Sequence, residues 1–126
     1  METTVAPKRV PVQGKLGNLS WLSQAVSGLL LVALGGLHMT ANHFMVAGGL
    51  QNFADVQAYL RNPVFLVFEV SFLCVVTWHA MLGVRSIIFD LGLSHEAEQR
   101  VTTVLTVIGV LTVVYGMWLT WVVINL

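Results

Sequence analysis

Six polar side chains lie within or beside long apolar runs, and their types could do chemistry inside a membrane. They are His38, His43, Glu69, His79, Arg85 and Asp90. Neutral imidazole is a usual axial ligand of haem iron, and helix bundles build such sites from inward-facing side chains. Because polar groups are costly inside a bilayer, we expect a functional site among these residues.

His79 is the residue best suited to bind a haem. Gly83 follows one turn later and would leave room for a flat macrocycle, and Arg85 could extend to a haem propionate. The alternative is a histidine hydrogen-bonded to a neighbouring helix, with Arg85 acting only as an orientation signal. Spacing along the chain leaves both interpretations open.

His38 lies in a different apolar run and is predicted to lie at a different depth. The two positions differ by about 10 Å at about 1.5 Å per residue, which disfavours one iron shared by His38 and His79. His38 could instead bind a second, outer haem together with a partner chain. His43 lies about 140° around the helix from His38, so these two cannot face one iron.

Two further polar residues have more than one possible role. Glu69 could pair with a buried histidine or with Arg61, or could carry protons together with His38. Ser27 could donate a hydrogen bond to a backbone carbonyl or contact a quinone oxygen.

The composition sets the class of protein that must position these residues. Of 126 residues, 56% are hydrophobic and 10% charged, and the mean hydropathy is +0.81. A soluble domain has about 25% charged residues, and disorder requires low hydrophobicity. A formal net charge of zero gives no indication of nucleic acid as a partner. One cysteine, Cys74, excludes a disulfide scaffold. The chain is therefore predicted to be a small all-α integral membrane protein.

The apolar runs predict three transmembrane helices, over residues 21–46, 64–89 and 101–124. Ser20 would cap the first helix, and Asn62-Pro63 would start the second. A polar tail over 1–19 would precede an anchor region over 20–126. Phe53, Val56 and Leu60 lie at helical spacing, which predicts a short interfacial helix in the first loop.

Basic residues predict the orientation of these helices. Lys8, Arg9 and Lys15 precede the first span, and Arg85 and Arg100 flank the second loop. The positive-inside rule therefore predicts a cytoplasmic N-terminus. No secretory signal or transit peptide is apparent, which favours the plasma (inner) membrane of a prokaryote.

Three spans leave little room for a solute pathway, so we expect the chain to function within an oligomer or as an anchor. Gly28 and Gly35 are seven residues apart and share one helix face, which favours close packing against another helix.

The run from His79 to Gly92 reads H-x-x-x-G-V-R-x-x-x-x-D-x-G. It resembles the second transmembrane segment of the cytochrome b membrane-anchor subunits of succinate:quinone oxidoreductases, which are also called succinate dehydrogenase or respiratory complex II. In the first span, residues 24–28 resemble the R-x-S-G segment of that family, and residues 34–39 resemble its L-G-H-[LM] stretch.

The resemblance implies an electron-transfer anchor that forms half of a haem-binding helix bundle and has no catalytic activity alone. It implies haem b, quinone as substrate, a flavoprotein subunit with FAD, an iron–sulfur subunit with its clusters, and a second anchor subunit. His79 would be the inner haem ligand, His38 the candidate for an outer haem, and Arg85 a neighbour of a propionate or quinone. Ser27 and Asp90 would lie near the quinone.

Two positions depart from the family pattern. Ala25 stands where many relatives carry Arg, and Leu91 stands where one of the two anchor types has Tyr. The anchor type and the number of haems therefore stay open. The alternatives are a haem-free structural anchor of the same complex, and a small proton-coupled transporter or assembly subunit.

Overall fold

A computed structural model of the chain describes residues 15–44, 48 and 52–126 as an all-helical protein. Its four helices are α1 (Lys15–Phe44), α2 (Phe53–Arg61), α3 (Pro63–Phe89) and α4 (His95–Asn125). Three of them are long and apolar enough to cross a membrane: α1 from Leu19 onwards, α3 and α4. The predicted fold class, with three spans and a short helix in the first loop, is confirmed.

Side-chain caps fix where the helices begin. The side chain of Asn52 accepts a hydrogen bond from the Asp55 amide at the start of α2. Asn62 caps α3 in the same way, and Pro63 occupies the first turn, as the sequence predicts.

Two helices begin earlier than the sequence predicts. α1 begins at Lys15, so Ser20 lies inside the helix and is not its cap. Each added residue costs little once a helix has nucleated, and no proline lies between Pro11 and the predicted start at 21. α4 begins at His95, six residues before the predicted start at 101, because Ser94 caps it and acidic residues favour its first turn. The predicted tail over 1–19 ends within α1, and residues 1–14 lie outside the described residues.

α3 is the central helix of the bundle. It packs against α1 on one side and α4 on the other, and α2 packs against α3 and α4, whereas α1 and α4 make no direct contact in the described part of the chain. Gly28 and Gly35 both face α3, as their spacing predicts, and Gly109 and Gly116 do the same from α4. Small residues thus bring both outer helices close to the central one.

The bundle has two ends and very little interior. We call the end where α3 finishes and α4 begins the Asp90 end, and the opposite one the α2 end. The buried side chains of the described residues are few: Ser27, Ala41, Tyr59 and Thr77. Most large apolar side chains are exposed, which suits surfaces covered by lipid or by other membrane chains.

Candidate functional site

The first polar cluster lies between α1 and α3, on the Asp90 side of the bundle. Ser27 Oγ lies 3.0 Å from His79 Nδ1, and the same hydroxyl donates to the Gln24 carbonyl oxygen at 3.1 Å. A serine hydroxyl has one proton, and here that proton is used on Gln24. A ring proton on Nδ1 of His79 is compatible with both contacts, because Nδ1 then donates to Ser27 Oγ.

This arrangement favours the tautomer of His79 that carries its proton on Nδ1. With the proton on Nδ1, the lone pair lies on Nε2, where the Gln24 amide nitrogen donates at 3.4 Å. Histidines that bind metals show the same pattern, because one ring nitrogen donates to a fixed acceptor while the other is the ligand.

Two glycines allow the helices to approach here. A Cβ at position 28 would lie 3.1 Å from His79 Cε1, and a Cβ at position 83 would lie 3.3 Å from the Gln24 amide nitrogen. The Gln24 amide therefore occupies the space beside Gly83, and room for a flat macrocycle there stays a prediction. The Oε1 atom of Gln24 is buried and has no hydrogen-bond partner among the described residues. Gln24 is held by a single contact and has a flexible side chain, so it can leave this space at low cost.

A second polar cluster lies nearer the α2 end. His38 Nδ1 lies 2.8 Å from Glu69 Oε2 and 2.9 Å from Oε1, and Tyr59 donates to Glu69 Oε1 at 2.7 Å. Phe72 stacks on the His38 ring with centroids 4.8 Å apart. Of the two partners expected for Glu69, the structure selects the histidine, because Arg61 donates instead to the Ile124 carbonyl.

The second cluster borders an open, mostly apolar cavity of about 590 Å³. Tyr59 is buried on α2, outside the membrane spans, and burial together with the neighbouring Glu69 carboxylate raises the pKa of its phenol above the ordinary value. Tyr59 therefore keeps its proton and donates it to Glu69. His43 is exposed near the end of α1 and also lines this cavity.

The two clusters are separated along the membrane normal. Glu69 and His79 are ten residues apart on α3, and Gly28 and His38 are ten residues apart on α1, about 15 Å in each case. The two histidines therefore cannot bind one iron in this arrangement, in line with the depth predicted from the sequence.

Arg85 and Asp90 lie away from the His79 cluster. Arg85 faces α4, where its Nε donates to Thr102 Oγ1 at 3.1 Å and its guanidinium lies 4.6 Å from the centre of the Phe89 ring. Asp90 is exposed at the C-terminal cap of α3, eleven residues or about 16 Å beyond His79. The structure brings Ser27 and His79 together but does not bring Arg85 or Asp90 to them.

Sequence reasoning missed several partners in these clusters. They are Gln24, Asn42, Tyr59 and Thr102, which contact His79, His38, Glu69 and Arg85 respectively. Tyr59 could have been identified from the sequence, because it lies three residues after Val56 and therefore on the same face of α2. In the described part of the chain, no group of three or more His, Cys, Asp or Glu residues could hold a metal ion.

Comparison with known proteins gives consistent matches along the chain. The sequence model of the family "Succinate dehydrogenase/Fumarate reductase transmembrane subunit" matches residues 1–123. A succinate dehydrogenase hydrophobic membrane anchor subunit of Thermoplasma acidophilum is 33% identical over 102 residues, covering 81% of this chain and 83% of the relative. The protein of the same description from Archaeoglobus fulgidus is 29% identical over 101 residues, covering 80% and 86%.

Proposed function

Because the chain belongs to the family of succinate dehydrogenase/fumarate reductase transmembrane subunits and is a multi-pass membrane anchor of that complex, we propose that it binds haem b through His79. In this proposal it carries electrons from an iron–sulfur subunit to quinone. The observation that carries the proposal is the Ser27–His79 hydrogen bond, since the proton of Ser27 is used on Gln24.

The residues around His79 fit an axial ligand. Ser27 holds the ring and keeps the proton on Nδ1, which leaves Nε2 as the ligand atom. Gln24 would move out of the space beside Gly83, and its buried Oε1 loses no hydrogen bond by moving. Haem b bound here would supply one-electron storage at a potential set by its axial ligands and surroundings.

The second axial ligand would come from a second anchor chain. His38 lies about 15 Å away along the helices and contacts Glu69, so it cannot supply that ligand at the His79 site. The same reasoning supports His38 as a ligand of an outer haem. Its Nδ1 contacts a carboxylate, which leaves Nε2 as the ligand atom. His38 also lines the cavity of the second cluster.

Quinone would bind at the Asp90 end, next to the iron–sulfur subunit. Asp90 is exposed there, whereas Ser27 lies about 16 Å deeper. One quinone ring cannot contact both residues. Ser27 has no proton left for a quinone carbonyl while it donates to Gln24. Asp90 is the better candidate of the two because it is exposed at this end, where its carboxylate would accept a hydrogen bond from a quinol hydroxyl.

The other subunits of the complex would complete the haem and quinone sites. We expect a flavoprotein with FAD, an iron–sulfur subunit and a second anchor chain, within a prokaryotic plasma membrane. The open faces of the α1–α3–α4 row leave room for a second bundle half.

A haem-free structural anchor is the second candidate, because Ser27 and Gln24 together already give both ring nitrogens of His79 a partner. Membership of the anchor family argues against the transporter or assembly alternative.

The test is a reduced-minus-oxidised spectrum, with haem counted per flavin, of the complex purified through this chain. We expect His79→Ala to remove one haem, whereas the exposed control His95→Ala should leave the haem content unchanged. A His79→Ala complex with full haem content would overturn the assignment. A wild-type complex without a b-type spectrum would support the haem-free anchor.

A further inference from the structure

Arg85 is a cation without a carboxylate partner in the described part of the chain. Its guanidinium donates one hydrogen bond there, from Nε to Thr102. An arginine has five N–H donors, and an unpaired charge in a membrane helix is costly. The remaining donors are open to an anionic or strongly accepting group from outside these residues.

The depth of Arg85 indicates where that group lies. α3 has 27 residues and is about 40 Å long, so about 5 Å of it extends beyond each side of a hydrocarbon core of about 30 Å. Arg85 lies four residues, or about 6 Å, from the last residue of the helix. It is therefore close to the boundary between acyl chains and headgroups.

An apolar groove of about 490 Å³ runs from Arg85 between α3 and α4 towards the middle of the membrane. Arg85 and Thr102 lie at one end of it, and Cys74 and Val114 lie at the other. The groove thus extends over eleven residues of α3 and twelve of α4, about 16 to 18 Å. One leaflet of hydrocarbon is about 15 Å thick, which matches the length of the groove.

On its other side, Arg85 borders a smaller polar cavity of about 440 Å³ at the Asp90 end. Arg85 and Thr102 line both cavities, so the polar one adjoins the apolar groove at these two residues. Gln99 and Thr103 add hydrogen-bonding side chains to the polar cavity, and Glu98 adds a carboxylate.

We propose that this groove is a binding site for one phospholipid, with its phosphate at Arg85 and an acyl chain between α3 and α4. The charge of Arg85 matches a phosphate, and the walls beyond it match an acyl chain in both polarity and length. This lipid site is separate from the His79 cluster. The group bound by Arg85 is then a lipid phosphate and not a haem propionate or a quinone.

The test uses the purified complex, delipidated in detergent and titrated with phosphatidylglycerol while bound lipid is counted by native mass spectrometry. We expect Arg85→Gln to weaken binding of the tightest lipid about ten- to hundredfold, because a charge-assisted hydrogen bond is lost. The matched control, Arg100→Gln, removes an exposed cation outside the groove and should leave lipid binding unchanged.

A second pair of variants keeps the test informative if Arg85→Gln fails to assemble. Val110→Trp fills the groove while leaving Arg85 in place, and it should also displace the lipid. Val107→Trp, at an exposed position outside the groove lining, should not.

Four results would overturn the proposal: unchanged lipid binding in Arg85→Gln, unchanged lipid binding in Val110→Trp, displacement of the lipid by inorganic phosphate alone, or cross-linking of the groove to a second protein chain. A changed haem spectrum in Arg85→Gln with normal lipid binding would indicate that Arg85 contacts the haem and not a lipid. Since lipid counting does not depend on His79, the lipid site and the proposed function can fail separately.

Discussion

His38 Nδ1 lies 2.8 Å from one carboxylate oxygen of Glu69 and 2.9 Å from the other, which joins α1 to α3 inside the membrane. Tyr59 on α2 donates to the same carboxylate. Three helices therefore meet at one acidic side chain. This junction is the strongest polar connection at the α2 end of the chain.

Glu69→Ala should destabilise the assembled complex by about 1–3 kcal/mol, because the imidazole of His38 and the hydroxyl of Tyr59 lose their shared acceptor. Thermal denaturation of the purified complex measures the loss. Glu96→Ala removes an exposed carboxylate from the first turn of α4 and should cost under about 1 kcal/mol. Equal losses for the two variants would contradict a role for Glu69 as a junction.

The raised pKa of Tyr59 predicts a dependence of stability on alkaline pH. The folded state holds the phenol proton more tightly than the unfolded chain does, so this contribution to stability is complete below about pH 10 and is lost as pH rises above it. The melting temperature, measured between neutral pH and pH 11, should fall more steeply with pH for wild type than for Tyr59→Phe. Tyr115→Phe, at an exposed position, should follow wild type. Parallel curves for wild type and Tyr59→Phe would refute the prediction.

Ser27→Ala should loosen His79 without removing it. The Nδ1–H group loses its acceptor, at a cost of about 1–3 kcal/mol, and the preference for that tautomer is lost with it. We expect weaker haem retention and a shifted midpoint potential in a redox titration of the complex. Ser71→Ala is the matched control, since the Ser71 hydroxyl donates only to its own helix. An unchanged potential in Ser27→Ala would show that the hydrogen bond does not tune His79.

Gly28→Ala tests the close approach of α1 to the imidazole. The added Cβ would lie 3.1 Å from His79 Cε1, so either the ring or the helix must shift by a few tenths of an ångström. We expect a lower melting temperature and a perturbed haem spectrum. Gly36→Ala adds the same atom to the same helix in open space, and it should be neutral or stabilising by up to about 1 kcal/mol. The prediction fails if both variants behave alike.

Much of the fold could be predicted from the sequence, because hydrophobic length and local caps act along a single helix. Asn62 and Pro63 mark the start of α3, and the spacing of Phe53, Val56 and Leu60 correctly indicates α2. The starts of α1 and α4 were placed too late, since hydropathy marks where lipid begins and not where helical hydrogen bonding begins.

The sites were predictable only in part. The depth difference between His38 and His79 follows from counting residues, but the partners of each depend on how neighbouring helices rotate against one another. Arg85 illustrates this, because its spacing from His79 is compatible with a shared site while the packing of α3 directs it to Thr102. Gln24 filling the space beside Gly83 is likewise a property of two helices together.

The separation of α1 from α4 by α3 bears on the state of the anchor before it assembles. A three-membered row has two broad sides, and the described residues close neither of them. Before it assembles, the anchor would therefore present the same apolar surfaces to lipid and to other membrane chains.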